Sequence, residues 1–559
     1  MEHKKWWKEA IVYQIYPKSF QDSNGDGLGD IQGIIQRLDY LKALGITVIW
    51  LCPVYKSPMD DGGYDIADYY SVDPMFGTNE ELDELIQKAA ELEIKIVMDL
   101  VINHTSDEHA WFQEALNDPT SKYRDYYIFK EGVNGLPPNN WRSYFGSSAW
   151  EKVPNEDNMF YLHAFTKKQP DLNWENPEVR EDLYDMVNYW LEKGLGGFRI
   201  DAILNVKKRI ELGNFEADGE DGLVFIGDWI LNQPGIEVWL KELNERTFKL
   251  HNSMTVAEAD VPDERLAEYI GEDGFFSMVF DFSYTDIDVP ETGEWFKFSN
   301  WTLDELRENI FANQLVTQEK GWGALYLENH DQPRSINKYI PEKDINEYSK
   351  KMLGTLFMFL RGTPFIYQGQ ELGMTNIHMD SLAEYDDIAT HDQYKRARLA
   401  GISHEEAFAG MNRRSRDNSR TPMQWDHTKN AGFSTSDQTW LKVNPNYQDI
   451  NADNQQTEDT LLSYYKKMIT LRTTAPYKNV LTYGNFSPIT GTTPAIIAYE
   501  RKLDGQSVLV LINFSDQSVA YPVDPLFTQV VLNNYQDAIA ISTDEIQLQP
   551  YQSLVLANF

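Results

Sequence analysis

The chain has 559 residues, with 87 acidic against 50 basic side chains and a formal net charge of −37, a balance that argues against nucleic-acid or membrane-surface partners and for a neutral small substrate. Hydrophobic residues at 42% and charged residues at 25% are ordinary for a globular protein and exclude disordered and fibrous classes. This length exceeds what a single core supports, so two or three domains are expected.

The first 20 residues contain no apolar stretch of signal-peptide length, and no run approaches the ~18 apolar residues of a membrane helix, so a cytoplasmic protein is expected. An apolar run at 11–16 predicts the first strand. The loop at 22–30 offers oxygen ligands at Asp22, Asn24, Asp26 and Asp30, with the Leu28 carbonyl, a set suited to calcium or magnesium. A solvated polar turn accounts for the same composition. It is not an EF-hand, because position twelve is Gly33.

Helical periodicity at 31–44, 80–92 and 179–192 alternates with strand-like runs at 47–51, 95–101, 197–201, 255–258, 278–282, 324–328 and 364–367. Together with the run at 11–16 these make eight strands joined by helices, which predicts an α/β fold: a (β/α)8 TIM barrel built from residues 1–104 and 176–475. Periodicity fails over 105–175, about 70 residues and too long for a plain loop, which reads as an inserted subdomain after strand three. After a helical stretch at 458–473, alternating runs at 495–501, 507–514, 528–533 and 553–557 predict a C-terminal all-β sandwich over 476–559. The single cysteine, Cys52, lies in an apolar run and reads as a buried inert thiol.

Barrel enzymes carry their chemistry at the C-terminal ends of strands. Four ends are polar: the DLVINH run closing on His104, GFRID on Asp201, TVAE on Glu258, and ENHD on Asp331. Retaining glycoside hydrolysis needs one carboxylate as nucleophile and a second with a raised pKa as acid/base. Asp201 and Glu258 close adjacent strands, so they can converge over the barrel mouth, and Arg199, two residues before Asp201, shares its face. An ordinary strand-end ion pair would give the same pattern. His104 and His330 can donate to sugar hydroxyls without a metal. Ten His, one Cys and no H-E-x-x-H offer no catalytic zinc or iron site, and no nucleotide fingerprint is present, so no organic cofactor is expected.

Taken in order, these four strand ends resemble the core signatures of the α-amylase superfamily of glycoside hydrolases. QPDLN at 169–173 resembles the extra signature of its oligo-1,6-glucosidase and α-glucosidase branch, as do the opening YQIYPKSFQDSNGDGLGD and the late RDNSRTPMQWD from Arg416. The resemblance implies a retaining exo-acting α-glucosidase releasing glucose from short malto- or isomalto-oligosaccharides. By motif, Asp201 would be the nucleophile, Glu258 the acid/base and Asp331 the carboxylate that grips the ring. Tyr64 and Asp65 of GGYD, with His104, Arg199, His330 and Arg416, would hold the non-reducing glucose, walled by Phe145 and Phe165, with Gln169 opening its signature beside them. The resemblance also implies a divalent ion, usually calcium, in the 22–30 loop.

Ala202 follows the nucleophile where oligo-1,6-glucosidases show valine, which resembles members that accept α-1,4 bonds. The loop at 295–301 lacks the Arg-Leu-Asp-Arg-Asp run of sucrose isomerases. Lys207, Lys208 and Arg209 keep a phosphorylated disaccharide open as substrate, against a solvated helix face. Transglycosylation, sucrose isomerisation and trehalose-6-phosphate hydrolysis stay open as alternatives, as do linkage preference and oligomeric state.

Overall fold

Eight short parallel strands form the framework of the computed structural model: β1 (Val12–Ile15), β2 (Val48–Leu51), β3 (Lys95–Val101), β4 (Gly197–Asp201), β5 (Met254–Ala257), β6 (Met278–Val279), β7 (Ala324–Leu325) and β8 (Thr363–Tyr367). The structure describes residues 5–219, 221–290, 293–491, 493–536 and 545–559. The first four residues of the stretch read for a leader therefore lie outside the described residues. All ladders are parallel and the strand order is 6-5-4-3-2-1-8-7, so the sheet curls into a barrel that lacks only a described ladder between β6 and β7. The runs predicted at 278–282 and 324–328 shrink to two residues each, because their distal halves leave the ladder to shape the mouth.

Local signals explain the helices around it. Thr78 makes a reciprocal capping box with Glu81 at the start of Asn79–Glu91, and Asn176 caps Pro177–Glu192, with Pro177 at the position where its missing N–H costs nothing. The single helix expected at 31–44 is two, Ile31–Gln36 and Leu38–Leu44, separated at Arg37. There the guanidinium leaves the helix line to lie 4.0 Å over the Trp425 ring.

Between β3 and β4 a three-stranded antiparallel sheet (Phe129–Glu131, Met159–Leu162, Trp150–Lys152) packs around Trp141, Trp150, Phe160 and Leu162. The barrel's own β4 loop joins it: Val224–Phe225 pairs with Trp141–Arg142 and buries Val224, Ile226 and Ile230 in the same cluster. Sequence periodicity leaves this second segment within the barrel, because two strand residues are too few to show alternation.

At the C-terminus a five-stranded antiparallel sheet, ordered Asn485–Pro488, Ile496–Leu503, Gln506–Asn513, Ser553–Asn558 and Gln529–Asn533, is joined by the pair Val519–Pro522 and Glu545–Leu548. Alternation divides the faces. Leu509, Leu511, Leu554 and Leu556 pack with Tyr521, Ile546 and Leu548 in one core, while Val508, Val510, Ile512 and Val555 join the main core of the barrel. Among the described residues no helix is long and apolar enough to cross a membrane.

Candidate active site

Strand β4 delivers the centre of the site. Its first residue, Gly197, has φ +147°, and a Cβ there would collide with the Met254 carbonyl, so only glycine lets β4 and β5 approach this closely. Arg199 pairs in register with Val256 and Ile200 with Ala257, and the Glu258 N–H donates to the Ile200 carbonyl at 2.9 Å. Asp201 and Glu258 thus stand side by side at the barrel mouth.

Arg199 is 1% exposed and joins three strand ends. Its Nη1 donates to Asp99 Oδ1 at 2.8 Å and to Asp201 Oδ1 at 2.6 Å, and its Nη2 lies 3.0 Å from Glu258 Oε2. The Ala202 N–H adds a 3.1 Å bond to the same Glu258 oxygen. Three carboxylates around one buried guanidinium exceed what an isolated strand-end ion pair requires. Burial pushes the Glu258 carboxyl up to about 7 and the Asp201 carboxyl up to about 6, in each case against the opposing pull of Arg199.

Asp331 has the opposite setting. Burial raises it, but His330, Arg416 and Arg420 together outweigh burial and hold it below the usual carboxylate range. Its Oδ1 accepts from Arg416 Nη1 at 3.2 Å and Arg420 Nη2 at 2.8 Å, and its Oδ2 lies 3.1 Å from His330 Nε2. The His330 ring sits between Tyr64 (centroids 5.3 Å, 11°) and Tyr16 (6.1 Å, 23°). Gln14 Nε2 meets His330 Nδ1 at 2.8 Å, which places the ring proton on Nε2, facing Asp331 and the Tyr64 hydroxyl. Burial lowers the His330 pKa to about 3, so the ring is neutral.

Tyr64 donates to Asp99 Oδ2 at 3.1 Å. His104 Nε2 lies 2.9 Å from the Tyr64 carbonyl and 3.2 Å from Gln169 Nε2, and the Gln169 amide also reaches Asp61 Oδ2 at 3.3 Å. Phe165 packs on His104 (5.1 Å), and Phe145 on both Phe165 (6.0 Å) and the Arg416 guanidinium (5.6 Å). Arg416 is held by Asp61 at 3.0 Å and Asp387 at 2.8 Å. Gly146, at φ +88°, abuts the Asp392 carboxylate so closely that a side chain would collide with it.

Asp65 does not join this group. It is fully buried, and its carboxylate accepts from the Ser57 hydroxyl at 3.0 Å and from the N–H groups of Asp60 and Asp61 at 2.8 and 3.2 Å. Its place is inside the loop, and Asp61 is the acid that loop presents to Arg416 and Gln169. In a run of Asp60, Asp61, two glycines, Tyr64 and Asp65, spacing alone does not say which acid turns inward. Arg420 was also missed, although its position four residues after Arg416 was a usable signal.

Each member of the basic triplet faces an acidic partner. Lys207 pairs with Glu175 at 2.7 Å, Arg209 with Glu211 at 3.1 Å, and buried Lys208 with Asp171 at 3.3 Å, Asn103 Oδ1 at 2.8 Å and the Asn205 carbonyl at 2.7 Å. Lys208 therefore ties β3, the inserted subdomain and the β4 loop together, and is neither a solvated lysine nor a free phosphate ligand.

In the 22–30 loop, Asp22 accepts from the N–H groups of Asn24, Gly25 and Gly27, while Asp30 caps the helix Ile31–Gln36 through Gly33. Asn24 and Asp26 each accept one N–H, from Asp26 and Leu28. Among the described residues, no three His, Cys, Asp or Glu side chains converge as a metal site.

The family described as "Alpha amylase, catalytic domain" matches residues 14–484, and "Alpha-amylase SusG C-terminal domain" matches residues 496–555. An oligo-1,6-glucosidase of Bacillus cereus is 44% identical over 99% of both chains, and a trehalose-6-phosphate hydrolase of Bacillus subtilis (strain 168) is 40% identical over 99% of this chain and 98% of its own. The crystal structure of isomaltulose synthase from Klebsiella sp. LX3 superposes with a TM-score of 0.94 at 38% identity, covering 100% of both chains. The chain belongs to the alpha-amylase family of glycoside hydrolases.

Proposed function

We propose that the chain is a retaining, exo-acting α-glucosidase that releases glucose from the non-reducing end of short malto- and isomalto-oligosaccharides. The observation that carries this reading is the convergence of Asp201 and Glu258 on Arg199, beside an Asp331 that Arg416 holds next to Phe145. Asp201 attacks the anomeric carbon while Glu258 gives its proton to the leaving oxygen. Glu258, now a carboxylate, takes a proton from water, which attacks the glucosyl ester and frees Asp201. Asp331 stays ionised throughout and holds the distorted ring. Phe145 and Phe165 packed beside Arg416 and His104 support a site closed beyond the first glucose, which favours exo cleavage.

The names of the relatives support hydrolysis of α-1,6 bonds, since five of the proteins at 41–44% identity are called oligo-1,6-glucosidase. An anionic leaving group is less favoured, because buried Lys208 is committed to Asp171, Asn103 and Asn205, while Lys207 and Arg209 each face an acid.

Ala202 bears on linkage. It sits at φ +42° and ψ 33°, the left-handed region, where a β-branched side chain is strained. The test is glucose release from maltose, isomaltose, sucrose, trehalose and trehalose-6-phosphate, by the native chain and by Ala202→Val. We expect release from the maltose and isomaltose series, and a maltose-to-isomaltose ratio moved about 10-fold toward isomaltose by the valine. No release from any α-glucoside sinks the function, and an unchanged ratio removes Ala202 from linkage choice.

A calcium or magnesium ion held by Asp22, Asn24, Asp26, the Leu28 carbonyl and Asp30 is part of the proposal, supported by the oxygen density of this loop, with a cytoplasmic location supported by the lack of any disulfide-forming pair. Millimolar calcium should raise Tm, chelator should lower it, and Asp26→Asn should erase the difference. An identical Tm in calcium, magnesium and chelator would rule the ion out.

A further inference from the structure

Arg420 closes the short helix Asp417–Arg420, and its side chain is 5% exposed. Its Nη2 donates to Asp331 Oδ1 at 2.8 Å, and its Nε donates to the His330 carbonyl at 2.9 Å. The guanidinium lies 5.3 Å from the Tyr16 ring, which backs His330. Arg416 reaches the same Asp331 oxygen at a longer 3.2 Å and is also committed to Asp61 and Asp387. Arg420, by contrast, binds two consecutive residues of the β7 loop. Both bonds leave one planar guanidinium, so the Asp331 carboxylate is held relative to the backbone of the residue before it.

We infer that Arg420 is a positioning residue for the reaction: it pins Asp331 Oδ1 so that Oδ2 alone faces His330 and the sugar ring. The inference rests on the reading of Asp331 as the ring-holding carboxylate. A carboxylate that stabilises the oxocarbenium-like transition state must be in place before charge develops, so freeing it harms the transition state more than the bound substrate.

The test compares Arg420→Gln, Arg420→Lys and Asp331→Asn, each checked for native circular dichroism, on an aryl α-glucoside. Arg420→Gln is expected to lower kcat/KM by about 100-fold, nearly all of it in kcat. Affinity for a glucose-configured iminosugar, whose cation mimics the developing charge, should fall by a similar factor, while inhibition by glucose changes by less than about threefold. Lysine keeps the charge but offers no fork, so it should recover part of both losses. A purely structural role would lower Tm and the active fraction and leave the iminosugar-to-glucose ratio unmoved, and that result overturns the inference. So does a kcat within about threefold of native. If the glutamine variant does not fold, the lysine variant carries the same comparison. Activity retained by Asp331→Asn would instead overturn the reading of Asp331, whereas an inactive Asp331→Asn beside unaffected Arg420 variants overturns only the role of Arg420.

Discussion

Asp201→Asn should reduce turnover of an aryl α-glucoside by at least about 10⁴-fold, the scale on which removal of a nucleophile acts when the rest of the site is intact. The substitution is close to isosteric, and Arg199 keeps its bonds to Asp99 and Glu258, so folding and KM should change little. Asp201→Ala extends the test, because the vacated space admits a small anion. Added azide should restore turnover of an activated α-glucoside and yield the β-glucosyl azide, since the anion attacks once from the face that Asp201 occupies. Activity of Asp201→Asn above a trace in protein free of contaminating enzyme would refute the assignment, and an α-azide product would refute the double displacement.

That Asp201, Glu258 and Asp331 were legible in the sequence follows from their settings. Each lies at or just past the end of an apolar run that reads as a barrel strand, where barrel enzymes carry their chemistry, and the resemblance supplied the role of each. The strands themselves were readable because both faces are buried, giving continuous apolar runs that stand out against amphipathic helices. Asp61 and Asp65 were not separable. Both lie in a glycine-containing loop without periodicity, and which one turns outward depends on how Ser57 and two backbone N–H groups close the loop around Asp65. The Val224–Phe225 strand was hidden for a related reason, since its partner, Trp141–Arg142, lies over 80 residues earlier and only tertiary packing joins them. Arg420 shows the third kind of gap. An arginine read as charge on a short helix becomes specific only when Asp331 and the His330 carbonyl are seen within reach of one fork.

The pH dependence of kcat/KM should be bell-shaped, with limbs set by the coupled Asp201–Glu258 pair. The reactive form needs Asp201 ionised and Glu258 protonated. Burial raises Asp201 to about 6, so activity rises with pH as that carboxyl loses its proton. Burial raises Glu258 to about 7, so activity falls again as pH climbs past that value and the acid is lost. Asp331, held below the usual range, contributes neither limb within the working pH window. Glu258→Gln removes the group responsible for the alkaline limb. With maltose, whose leaving oxygen needs a proton, kcat/KM should drop by about 10²–10⁴-fold. With α-glucosyl fluoride, whose leaving group needs little acid help, the loss should be far smaller, and the profile should become a single rise through about 6 followed by a plateau, because only Asp201 still titrates. Persistence of the alkaline limb in Glu258→Gln would assign it to a group other than Glu258.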